Sequence, residues 1–85
     1  MKYILEIFKP KSGYDVWISF SSETPFQAIS KGDIINTANF PDADTSKSLR
    51  VISVEHIIWI GLKKESKHHI NVYTEEIDNL EASRF

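Results

Sequence analysis

The chain has 85 residues, no cysteine and a formal charge of −2. This length makes one small domain, and the missing thiols exclude a disulfide framework and a thiolate metal site. An apolar share of 41% and a charged share of 26% exclude a disordered chain, and the near-neutral charge is unlike that of a general polyanion binder.

The composition favours strands. Isoleucine occurs 12 times and valine 4 times, against 4 leucines. Branched Cβ atoms pack well on a pleated surface and lose rotamers in a helix. No apolar run approaches the roughly 18 residues of a membrane span. The start, Met1 to Glu6, lacks the apolar core of a signal peptide. With the absence of cysteine, this predicts a small soluble cytoplasmic protein.

Tyr3 to Phe8 is apolar apart from Glu6 and predicts a first strand. Lys9 to Gly13 is turn chemistry, with Pro10 presetting φ and Gly13 free to take positive φ. Residues 14–21 alternate. Tyr14, Val16, Ile18 and Phe20 fall on one face, and Asp15, Trp17, Ser19 and Ser21 on the other. The two strands form a hairpin. Thr24-Pro25-Phe26-Gln27 has the form of a capping box, and Gly32 closes the segment. A helix of one or two turns over 25–31, with Phe26 and Ile29 turned to the core, is one reading; an extended crossing is the other.

Gly32 to Asn36 starts a third strand, and a polar loop follows from Asn39 to Lys47. Leu49 to Leu62 would span ~45 Å if straight, too long for so small a domain. It is therefore bent by a bulge near Ser53 to His56 or broken in two. Lys63 to Lys67 makes a turn, and His68 to Glu75 is the last strand, with Ile70 and Val72 inward. Residues 76–85 form a polar tail that turns once through Ile77 and Leu80 or frays.

Five or six short strands in one domain must hide one apolar face, and a bent sheet closing on itself does so. The expectation is an all-β, five- to six-stranded SH3-like barrel with one short helix, occupying residues 1–85. The run Gly32-Asp33-x-Ile35, then Val51-x-x-Val54-Glu55-His56-x-Ile58, then Ile70-x-Val72 resembles small SH3-like barrel proteins of bacteria and phages. The resemblance covers residues 32–76. It implies barrel packing and carries no functional residues with it.

Constellations with chemistry are few. Asp42-x-Asp44-x-Ser46 starts like a calcium loop, but Lys47 and Ser53 stand where glycine and a bidentate glutamate belong. His68 and His69 are adjacent on a strand and point to opposite faces. If Ile58 pairs with Val72, His56 lies opposite Thr74 and far from His68. No metal site and no cofactor is expected. No nucleophile motif or phosphate-binding loop is present, and the paired carboxylates at Glu75-Glu76 sit in a polar stretch. The chain therefore reads as a non-enzymatic protein-interaction or accessory module.

Two surfaces stand out for that role. Trp17, Ile57, Trp59 and Tyr73 fall together on an outer wall if Ile58 and Ile60 face inward opposite Val72 and Ile70. Clustered exposed aromatics mark association surfaces. Lys63, Lys64 and Lys67 make a basic hairpin tip. Together the aromatics and lysines also allow a nucleic-acid module, with bases stacked on the rings and phosphates on the lysines. A protein partner or a homodimer fits the acidic chain better.

Overall fold

A computed structural model describes residues 1–11, 15–61 and 66–79. They form five strands: β1 (Lys2–Phe8), β2 (Val16–Ser22), β3 (Ile34–Ile35), β4 (Lys47–Trp59) and β5 (Lys67–Asp78). All five join one curled sheet in the order β2-β1-β5-β4-β3, a half-barrel. The all-β expectation holds. Six strands and full closure are not seen among the described residues.

Two antiparallel hairpins, β1–β2 and β4–β5, are joined by a parallel pairing of β1 with β5. One face carries the core: Leu5, Ile7, Leu49, Val51, Ile70 and Val72, all at most 8% exposed. They meet because the register sets Leu5 beside Ile70, Ile7 beside Val72 and Val54 beside Val72. Cross-strand neighbours on one face are the unit of sheet stability.

The helix over 25–31 does not form; the segment crosses the core face in extended coil. Phe26 and Ile29 pack against the core as expected. The capping box is disarmed because Thr24 turns its hydroxyl and its N–H to the Ser22 hydroxyl, both at 3.1 Å. Gly32 then takes φ +96°, a conformation that side chains rarely adopt. Its N–H donates to the Val51 carbonyl, and the Val51 N–H donates to the Asp33 carbonyl. These bonds bring in the two-residue β3.

The long apolar stretch is one strand, bent by a bulge at Ile52, just before the interval expected from sequence. Its register with β5 differs from expectation by four residues. Ile58 lies beside His68, and it is Val54 that meets Val72. The register is held at the base of the hairpin. There Arg50 Nε donates to Glu75 Oε1 at 2.6 Å, Lys47 pairs with Asp78, and Leu49 and Val51 are buried. A shift of an even number of residues keeps every side chain on its expected face, but it changes which residues are neighbours. Ile58 accordingly sits on the core face yet is 57% exposed, beyond the reach of the cover.

β5 runs three residues further than expected, through Asp78. Ile77, 6% exposed, lies beside Ser48. The rest of the polar tail, from residue 80, is outside the described residues.

Candidate functional site

The face opposite the core carries rows of side chains set by the register across β1, β5 and β4. Ile4, His69 and Ile57 make one row, and Glu6, Asn71 and Glu55 the next. Glu55 Oε1 accepts from Asn71 Nδ2 at 3.0 Å and from the Tyr73 hydroxyl at 3.2 Å. Burial, and after it the bond to Glu55, pushes the Tyr73 phenol above its ordinary value. His69 Nε2 lies 2.5 Å from Glu6 Oε1 but out of line for a hydrogen bond. Trp59 meets the His69 ring edge to face, with centroids 5.3 Å apart.

The four expected wall residues are only partly brought together. Ile57 and Trp59 are neighbours around His69. Tyr73 is on the same face but lies beside Ser53, six residues along the strand from Lys67, the partner of Trp59. That is ~20 Å away. The four-residue register difference is the cause. Tyr73 stacks on Phe8 instead, with centroids 4.9 Å apart and planes at 16°.

Trp17 is on the other side of the sheet. Ile7 pairs with Ile18 and Phe8 with Val16, so Trp17 is an extra residue in β2. This bulge breaks the alternation read from the sequence. Trp17 packs against the core, meets Phe40 edge to face at 5.4 Å, and donates Nε1–H to the Pro41 carbonyl at 2.7 Å. The bulge turns Val16 to the face of Phe8, where it is 38% exposed; Phe20 keeps the core face beside Leu5 and is 42% exposed.

Of the basic tip, Lys67 is exposed beside Trp59 and opposite Lys2; Lys63 and Lys64 lie outside the described residues. The expected separation of His56 from His68 is overturned. His56 Nδ1 and His68 Nε2 are 2.8 Å apart on the core face, one serving as donor to the other. The pair borders a recess of about 150 Å³ with Tyr3, Phe26, Ile29 and Ile70. A wider groove of about 480 Å³ continues along Leu5, Phe20, Ile35 and Phe40. Among the described residues no cluster of three or more metal-ligating side chains occurs, and no helix is long and apolar enough to cross a membrane. Asp44 spends its carboxylate on its own turn, accepting from the Ser46 N–H and hydroxyl.

One feature was not foreseen from sequence: the outer edge of β4. β3 covers only Leu49 and Arg50, and the last main-chain bonds to it are those of Val51. From Ile52 to Trp59, no described segment forms main-chain hydrogen bonds to this edge. Ile52, Ile58, Trp59 and the following Ile60 are 43%, 57%, 50% and 80% exposed. The stretch contains no lysine, arginine or proline, the residues that commonly blunt an edge. Its one carboxylate, Glu55, is engaged by Asn71 and Tyr73. The signal in the sequence was the long β-branched run, which exceeds what the two-residue Ile34–Ile35 strand can cover.

Comparison of the chain with protein-family models, with curated proteins and with solved structures returns no match.

Proposed function

We propose that the chain is a non-enzymatic protein-interaction module that adds an extended segment of a protein partner to the free edge of β4. The observation that carries this reading is the unblunted edge from Ile52 to Trp59, flanked by exposed Ile58, Trp59 and Ile60. Strand addition draws affinity from main-chain hydrogen bonds and specificity from alternate side chains. The partner segment would be extended and would alternate apolar residues, one set against Ile58 and the other against Ile57 and Trp59.

In this reading the sheet is an SH3-like barrel left open, of the bacterial and phage kind, and the partner's strand continues it. A cytoplasmic setting agrees with the absence of cysteine. The nucleic-acid alternative has less support, because Trp17 and Trp59 lie on opposite faces and offer no shared stacking platform.

The test is selection from random peptides displayed on phage, followed by titration of a labelled thymidine oligonucleotide. The expected result is enrichment of alternating apolar sequences, lost in the Ile58→Lys, Trp59→Ser double variant, with no oligonucleotide binding. Oligonucleotide binding that falls steeply with salt, without peptide selection, would overturn the proposal.

A further inference from the structure

Resting on the strand-addition reading, we infer that the segment fitting this edge is β4 of a second copy, paired antiparallel about a two-fold axis through His56. The argument is geometric. Two copies related by an axis perpendicular to the sheet keep the same face upward. Residues opposite one another must therefore share a face. Only registers with a single residue on the axis satisfy this.

Three such residues lie near the middle of the free stretch. An axis through Glu55 sets two carboxylates directly opposite each other, ~5 Å apart, which is destabilising. It also brings Ile60 against residue 50, which β3 already covers. An axis through Ile57 sets His56 against Ile58 in place of an apolar pair, and it carries the partners of Val54 and Ser53 to Ile60 and Gly61, past the end of β4 at Trp59. An axis through His56 pairs every residue from Ser53 to Trp59 within the free stretch, and sets the bulged Ile52 against Ile60 just past the strand. It ends where β3 begins, at Val51.

This register also matches the side chains. Val54 of each copy meets Ile58 of the other, and Ile52 lies opposite Ile60. On the outer face Ser53 meets Trp59 and Glu55 meets Ile57, so no carboxylates stand opposite, and on the core face the two His56 rings meet at the axis. The exposed apolar residues of the hairpin are covered by their own counterparts. The two half-barrels become one continuous ten-stranded sheet. It extends ~30 Å along the joined strands.

The chain's lack of cysteine gives a direct test of register. His56→Cys places two thiols opposite each other on the axis, within the Cα separation a disulfide requires. Ile58→Cys places its two thiols four residues apart, ~13 Å, beyond that range. Under mild oxidation the expected result is a covalent dimer of His56→Cys, with at least about tenfold less from Ile58→Cys. Sedimentation velocity of the unmodified chain, from micromolar to millimolar, is expected to show monomer passing to dimer. Ile58→Lys, which sets a charge against Val54, is expected to remain monomeric.

An unmodified chain that stays monomeric at millimolar concentration overturns the inference. So does preferential linking through Ile58→Cys, or a dimer unaffected by Ile58→Lys. If the monomer still selects alternating apolar peptides, the strand-addition reading stands and only the second copy is refuted. If neither peptides nor a second copy binds, both fall.

Discussion

Leu5 and Ile58 both lie on the core face of the sheet, and the structure predicts opposite consequences of shortening them. Leu5 is 4% exposed and sits in β1 between Phe20 and Ile70. Leu5→Ala removes most of a buried aliphatic side chain, which costs about 2–5 kcal/mol depending on how far the gap collapses. Here the gap opens toward the groove shared with Phe20 and Phe26. Water and the Phe26 ring can relax into it, so the lower half of that range, about 2–3 kcal/mol, is expected. In a domain of this size that lowers the melting temperature by about 10–20 °C. Ile58 is 57% exposed, so Ile58→Ala should cost below about 1 kcal/mol. The assay is urea unfolding followed by circular dichroism on micromolar samples, dilute enough for any dimer to dissociate. Parallel slopes with a shifted midpoint for Leu5→Ala alone are the expected result. Equal losses in the two variants would show that Ile58 is covered in the monomer and that the β4–β5 register described above is wrong.

Two further outcomes follow from the rings. In single-tryptophan variants, Trp17 should emit to the blue and resist iodide, while Trp59 should emit to the red and quench readily; matching spectra would contradict their placement on opposite faces. Tyr73 is expected to ionise above its ordinary value of 10, because burial and then Glu55 disfavour the phenolate. The folded chain favours the neutral phenol, so this stabilisation is complete below pH 10 and is lost as pH rises through the higher folded value. The difference in phenolate absorbance between the parent and Tyr73→Phe measures it, and ionisation at or below 10 would refute the assignment.

Much of the fold was legible in the residues. The strand pair at the start, the inward set of Ile70 and Val72, and the need for a bend in the Leu49 to Leu62 run all follow from period-two patterning and chain length. What was hidden has local causes. The Trp17 bulge inserts a residue without any glycine to advertise it. The capping box at Thr24 lost its key donor and acceptor to Ser22, a competitor two residues away. The hairpin register depends on ion pairs at its base, Arg50 with Glu75 and Lys47 with Asp78, whereas turn residues point to its tip. This last difference rearranged the candidate site. It carried Tyr73 away from Ile57 and brought His68 to His56. For the free edge the sequence offered only the length of the β-branched run, because exposure of main-chain groups depends on the length of a neighbouring strand.

The parallel pairing of β1 with β5 bears on how the chain acquires its shape. Each residue from Lys2 to Ile7 waits for a neighbour 65 positions later, as Ile7 does for Val72. During synthesis the first hairpin leaves the ribosome with Leu5 and Ile7 uncovered, since Ile70 and Val72 do not yet exist. Contacts this distant along the chain must close a long loop before they contribute, which slows folding. Until Ile70 and Val72 join it, the β1–β2 pair is a two-stranded ribbon, marginal by itself, and the core assembles only when they arrive. A stop anywhere before Val72 would release not a smaller domain but an unfolded one.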